Sequence, residues 1–273
     1  MSRSNRFLPA LATFTALLLA ASPCLADGEP APPGGISSAA QEVIDRAMLA
    51  MGGAAAITSV ANVSFDCVME NQQGSLSMKV AASKSGGVRI EQSLLPPGTE
   101  QPSGRQELIT NRTNGWARNL DDGGVRLMPE AVSISVERAG DLWNIVRSGL
   151  GQFESVAHEG AAVFSGRPCA KLCFSSPKSQ GLQQAFIFFD DETGLPLGQE
   201  TATSAGMLVS GIARIVEWQL VNGIMVPRRI EVEGQTGSSS LTFSQISFDA
   251  VPAETFEVPA DVQALLAAAA AGS

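Results

Sequence analysis

The sequence has no tyrosine and a single histidine, His158, among its 273 residues. A site built on a phenol hydroxyl is therefore excluded. With one histidine, set between Ala157 and Glu159, a Ser-His-Asp or Cys-His relay would have to recruit residues that carry no partner signature. No Gly-x-Ser-x-Gly elbow, phosphate loop, dinucleotide fingerprint or His-Glu-x-x-His pair occurs. The chain reads as non-catalytic and without a cofactor. Basic residues are also outnumbered, with 18 Lys and Arg against 27 Asp and Glu. A chain this acidic lacks the positive footprint that phosphate backbones require, which argues against nucleic acid as a partner.

Long apolar runs are missing except at the start. Arg3 and Arg6 precede the apolar stretch Phe7 to Ala21, and Cys24-Leu25-Ala26 offers small residues before Asp27. That pattern predicts a signal peptide over residues 1–26 and a periplasmic or otherwise exported protein. Pro23 stands where lipid attachment at Cys24 would want a small residue, so cleavage after Ala26 is expected. Removing 26 of the 273 residues leaves 247. The removed stretch takes two of the 18 basic residues and none of the acidic ones, so the net charge becomes −11. No later segment approaches 18 apolar residues, and Val262 to Ala271 is too short to span a bilayer; no integral membrane segment is expected after cleavage.

Cys67, Cys169 and Cys173 remain. Cys169 and Cys173 fall in one predicted strand, where four residues span roughly 13 Å, too far for a disulfide. Three buried thiols are expected, with a link from Cys67 to one of the others as the alternative. Metal-ligand spacing is absent, and no metal site is predicted. Asp190, Asp191 and Glu192 form the densest acidic cluster, but they run into Thr193-Gly194 without alternating oxygen ligands, so they read as a solvated hairpin turn.

Residues 27–36 are a Pro- and Gly-rich linker. Ser38 and Gln41 suit a capping box, Val43, Ile44, Ala47, Met48 and Met51 recur at helical spacing, and Gly52-Gly53 supplies a stop, so a helix is predicted over 38–51. From Val60 the period becomes two: Leu76, Met78 and Val80 alternate with Ser75, Ser77 and Lys79, as Val88 and Ile90 do with Arg89 and Glu91. Further strands are predicted near 106–111, 115–120, 124–128, 153–163, 168–175, 183–190, 195–203, 207–219, 224–233 and 239–248. A second helix is predicted at about 132–148. Asn222-Gly223 marks a type I′ hairpin, and a change of apolar parity predicts a bulge near Gln245. The expected architecture is mainly β (α+β): one strongly curved, unclosed antiparallel sheet, a half-barrel of about 11 strands, with helices covering its concave face. One domain over 37–262 and an Ala-rich tail over 263–273 complete the plan.

Ordered along the chain, these pieces resemble the LolA/LolB-like group of outer-membrane lipoprotein-sorting proteins. The resemblance rests on Val43-Ile44-Asp45-Arg46-Ala47 through Met51-Gly52-Gly53, on Lys84 through Val88-Arg89-Ile90-Glu91, and on Asn114-Gly115-Trp116. It continues in Asp191-Glu192-Thr193-Gly194-Leu195-Pro196-Leu197, Asn222-Gly223-Ile224-Met225-Val226-Pro227, and Phe248-Asp249 through Phe256-Glu257-Val258-Pro259. Where the family has an Arg-Pro pair after an early strand, this chain has Ser83-Lys84-Ser85-Gly86-Gly87.

The resemblance implies an apolar cavity that shelters acyl chains, and hence a non-catalytic carrier or chaperone for a lipid, a lipoprotein or another apolar ligand. The candidate lining residues are Trp116, Trp143, Phe186, Phe188, Trp218, Met225 and Ile230, for each of which ordinary core packing is the competing reading. Phe186-Ile187-Phe188-Phe189 predicts a strand buried on both faces. The alternative function is an envelope interaction module of the same fold, with a filled interior and a protein partner.

Overall fold

A computed structural model describes residues 35–111, 113–139, 155–175, 184–202, 211–234 and 237–271. The strands are β1 (Asn62–Asn71), β2 (Gly74–Ser83), β3 (Gly87–Leu95), β4 (Ser103–Asn111), β5 (Gly115–Asn119), β6 (Val125–Leu127), β7 (Ser155–Phe164), β8 (Arg167–Ser175), β9 (Gln184–Asp190), β10 (Pro196–Ala202), β11 (Gly211–Val221), β12 (Ile224–Gly234) and β13 (Gly237–Phe248). The helices are α1 (Ser38–Ala50), α2 (Ala54–Ser59), α3 (Glu130–Ala139) and α4 (Ala260–Ala271), with a short 3-10 turn at Ala253–Phe256. The fold is mainly β, one antiparallel sheet ordered β6-β5-β4-β3-β2-β1-β13-β12-β11-β10-β9-β8-β7, and it is not closed. Thirteen strands replace the eleven or so expected; β6 falls within the strand predicted at 124–128. The described residues divide into two compact units.

The first unit holds residues 60–139 and 242–271. In β1 and β2 burial alternates strictly, so Val63, Phe65, Cys67 and Met69 share one face with Leu76, Met78, Val80 and Ala82. Such alternation pins the register, because a slip of one residue would turn every apolar side chain to the opposite face. In β4, by contrast, Glu107, Leu108, Ile109 and Thr110 are all buried, since helices pack on both sides of that end. Helix α3 packs against β3, β4 and β5. Gly115 admits it, because a Cβ there would strike Ser133 Oγ. Helix α4 lies on the opposite face, where Val262 joins Ile109 and Trp116. Residues 260–271, most of which fall in the expected Ala-rich tail, are helical; Val262 is buried, Leu266 is half-buried and the rest are exposed. At Gln245 the backbone turns left-handed, with φ 51°, where the parity change is expected.

The second unit holds residues 35–59 and 155–241. Helix α1 begins at Ser38 as predicted, but its cap is Ser37 instead of Ser38: Ser37 Oγ accepts a hydrogen bond from Ala40 N at 3.3 Å. Its buried stripe Ala40, Val43, Ile44 and Ala47 packs on Val156, Leu172, Phe174, Ile187 and Phe189. A fully buried branched side chain of this kind contributes about 1.5–3 kcal/mol. The helix ends at Gly52 and Gly53, both at positive φ, and the amide of Met225 bonds Met51 O at 2.9 Å, docking this end on the β11–β12 hairpin. That hairpin turns through Asn222 (φ 49°) and Gly223 (φ 82°), the two positive values a type I′ turn needs. Edge strand β7 is partly covered by a parallel bridge from Ile36 to Val156.

Candidate binding face

The clearest candidate is the apolar face of β1–β5 in the first unit. Registers place Phe65, Val80, Ile90, Leu108 and Ala117 directly opposite one another in a row across five strands. Phe243 of β13 meets Phe65 edge-on, with ring centroids 5.7 Å apart. The next row toward the β1–β2 turn is Cys67, Met78, Gln92, Gln106 and Asn119, and the row on the other side is Val63, Ala82, Val88, Thr110 and Gly115. Neighbouring rows on one face lie about 7 Å apart. None of the three rows carries an acid or a base, and burial pushes the Cys67 thiol up to about 12, so it is neutral as well. Met69 and Met78 add unbranched, adaptable surface.

The opposite face has a different character. Asp66, Lys79, Glu91, Glu107 and Arg118 follow one another across the same strands. Buried Glu107 pairs with Arg89 at 2.5 Å and lies 3.9 Å from Arg118, and Arg118 Nη2 donates to Asp261 Oδ2 of α4 at 2.8 Å. The hydrogen bond from Arg118 holds the Asp261 carboxyl below the usual carboxylate range. Together with Trp116, Ile109, Val262 and Leu266, this network fastens α4.

In the second unit, β9 is buried on both faces, as its sequence predicts. Ile187 and Phe189 pack under α1, while Phe186 and Phe188 join Phe164, Cys169, Cys173 and Leu197. Phe164 and Phe188 stack at 4.3 Å, and the Lys171 ammonium sits 3.9 Å from the Phe186 centroid, a cation–π contact. The acidic turn is not wholly solvated: Asp190 is 1 % exposed and takes hydrogen bonds from Arg167 Nη2 (2.6 Å), Thr193 Oγ1 (2.5 Å) and Thr193 N (3.1 Å). Asp191 and Glu192 are exposed, and among the described residues no group of three His, Cys, Asp or Glu suits a metal. All three described cysteines are buried and none forms a disulfide.

The predicted lining residues separate. Trp116 is fully enclosed on the α4 side of the sheet, and Phe186 and Phe188 are together in the second unit. Trp218, Met225 and Ile230 are half-buried on β11 and β12, opposite Pro227, Leu220 and Ile215 respectively. Trp143 lies outside the described residues, as do residues 140–148 of the second predicted helix. None of the predicted aromatics lies in the candidate face of β1–β3, whose aliphatic and methionine rows carry a weaker label in sequence. The signal was the charge-free alternation shared by three consecutive strands. His158 is half-buried on β7 opposite Leu172, and among the described residues it makes no hydrogen bond to a Ser, Cys or carboxylate.

An open antiparallel sheet with few helices defines a fold class, and solved structures share it. A DUF1329 family protein from Desulfovibrio piger superposes with a TM-score of 0.57 at 13% identity, covering 80% of this chain and 96% of its own. A LolA superfamily protein from Nitrosomonas europaea gives 0.55 at 13% identity, covering 84% and 99%. A domain assigned to outer-membrane lipoprotein sorting, from Vibrio parahaemolyticus, gives 0.50 at 13% identity, covering 72% and 88%. The chain therefore has a LolA-like fold. No family model matches it, and no curated protein does. No helix among the described residues is long and apolar enough to cross a membrane.

Proposed function

We propose that the protein is an exported, non-catalytic carrier or chaperone whose cargo is an acyl chain, a lipoprotein or another apolar molecule. The observation that carries this reading is the charge-free face of β1–β5 on a LolA-like fold. A single buried row of Phe65, Val80, Ile90 and Leu108 spans four strands, roughly 15 Å, and the hydrophobic effect gives an alkyl chain lying against it about 0.8 kcal/mol per buried CH₂.

Without cargo this face is already buried, so cargo must replace protein groups packed there. Helix α3 is the described element placed to give way. Among its described side chains only Val136 is fully buried, and Ile134 is exposed. In the second unit, Trp218, Met225 and Ile230 are the predicted residues that retain accessible surface for an apolar ligand, whereas Phe186, Phe188 and Trp116 are enclosed.

Native mass spectrometry of protein purified from its own envelope, with organic extraction of what co-purifies, tests the reading. A bound lipid or acylated peptide is the expected result. An empty mass, no saturable uptake of fatty acyl or fluorescent apolar probes, and recovery of a protein partner instead would replace the carrier with the envelope interaction module.

A further inference from the structure

One row of the apolar face breaks its own pattern. Across β1 to β5 it reads Cys67, Met78, Gln92, Gln106 and Asn119, so three carboxamides stand side by side on β3, β4 and β5. Asn119 is exposed, Gln106 is half-buried, and Gln92 is 4 % exposed, with an Oε1 that is shielded from water and has no hydrogen-bond partner. The file thus leads from solvent to a buried, unused acceptor among Met78, Ile90 and Leu94. Buried polar groups without partners are rare, because they forgo the hydrogen bonds that water would supply. Thr110 Oγ1 is a second unpartnered atom on this face, but it lies four residues along the strand, about 13 Å away, too far to serve the same group. No acid or base in these rows faces the file, so a charged head group would find no counter-ion there.

We infer that Gln92 is a specificity residue that receives an uncharged hydrogen-bond donor borne by an acyl chain, a hydroxyl or an amide N–H. Gln106 and Asn119 lead the polar end of the cargo out to solvent, and the neighbouring row of Phe65, Val80, Ile90 and Leu108 holds the alkyl part. This inference rests on the carrier reading and sharpens it from any apolar ligand to one carrying a polar, neutral group along the chain.

The test compares a hydroxylated fatty methyl ester with the unsubstituted ester of the same chain length. Both displace a fluorescent apolar probe from the delipidated full protein and from its Gln92→Met variant. The wild type is expected to bind the hydroxylated ester roughly tenfold more tightly, the value of one net hydrogen bond to a buried acceptor. Gln92→Met should bring that ratio to about one. Its thermal midpoint should equal or exceed that of the wild type, since an unpartnered amide has been replaced by an apolar chain of the same length. An unchanged ratio in Gln92→Met, no preference in the wild type, or a lowered midpoint that shows the amide to be satisfied within the protein would each overturn the inference while leaving the carrier reading intact. Failure of both esters to displace the probe would overturn the carrier reading and this inference with it.

Discussion

Replacing Asp190 by alanine tests how the β9–β10 hairpin is held. The substitution removes the acceptor for three donors: Thr193 Oγ1 at 2.5 Å, Thr193 N at 3.1 Å and Arg167 Nη2 at 2.6 Å. Hydrogen bonds to a charged group are worth about 1.5–3 kcal/mol when donors are left dry. Here Thr193 is exposed and the Arg167 side chain is 47 % exposed, so the freed donors regain water and the arginine pair is worth no more than about 0.5 kcal/mol. The expected loss is about 2 kcal/mol, most of it from the Thr193 hydroxyl and amide at a net ~0.75 kcal/mol each. In a chain of this size that lowers the melting temperature by roughly 4–8 °C. Asp190→Asn keeps an oxygen for Thr193 and should lose only about 1 kcal/mol.

The pH dependence follows from the carboxyl's surroundings. Burial alone would raise its pKa, but the Thr193 hydrogen bonds and the Arg167 charge outweigh burial and hold it below the usual carboxylate value. The stabilisation is therefore complete above the unfolded pKa of about 3.9 and disappears as pH falls through the lower folded value. Urea unfolding followed by circular dichroism at pH 7 and across the acid range measures both effects. A difference under about 0.5 kcal/mol at pH 7 between Asp190→Ala and the wild type, or one that does not shrink in acid, refutes the assignment of Asp190 as the anchor of the turn.

Other consequences are independent of that site. Cys67, with its thiol pushed up to about 12 by burial, should resist alkylation at pH 8 in the folded protein and react within minutes in urea, as read by peptide mass mapping; rapid labelling of the native chain contradicts its burial. Gly52→Ala should cost about 3 kcal/mol, because φ is +118° and the new Cβ would meet the Gly223 carbonyl oxygen, whereas Gly53→Ala, at φ +90° in open space, should cost about 1 kcal/mol. Denaturant midpoints separate the two. Val262→Ala should lose about 2 kcal/mol and raise hydrogen exchange across 260–271, since Val262 is the fully buried anchor of α4 against Trp116. Val136→Ala loosens the hold of α3 and should speed uptake of an apolar probe roughly tenfold, the kinetic equivalent of about 1.6 kcal/mol for two lost methyl groups; an unchanged rate removes α3 as the element that opens.

Elements governed by local chemistry were legible in the sequence. Asn222-Gly223 needs two positive φ values and has them, and Gln245 takes the left-handed turn that the parity of Leu241, Phe243 and Ile246 demands. The double burial of Phe186 to Phe189 followed from four consecutive apolar residues in one strand. Features that depend on distant partners were not legible. The Ala-rich run after Val262 has no amphipathic stripe and stays largely exposed; Val262 against Trp116, half-buried Leu266 and the Arg118–Asp261 bond are what tie its helix to the sheet. Asp190 reads like its solvated neighbours in sequence, although Thr193, three residues on, caps it through two hydrogen bonds; Arg167, twenty-three positions away, adds the partner that no local pattern announces. The choice of Trp116 as a ligand contact failed to anticipate the same helix: aromatic size identifies a buried side chain but not which face of a sheet it occupies.

That last point turns on parity, which also explains why the candidate face is free of charge. Asp66, Lys79, Glu91, Glu107 and Arg118 occupy one row of one face, and Phe65, Val80, Ile90, Leu108 and Ala117 occupy the adjacent row of the other. A slip of one residue in any of these pairings would carry an ionised side chain into the apolar face, at a desolvation cost of several kcal/mol. The like charges of Glu91 and Glu107, opposed across β3 and β4, would favour such a slip by repulsion, but Arg89 and Arg118 both reach Glu107 and neutralise it. The charge network is thus more than a fastening for α4. It fixes the register of the strands beneath it, and that register keeps every charged side chain off the surface proposed to meet an acyl chain, leaving neutral Gln92 as its one deeply buried carboxamide.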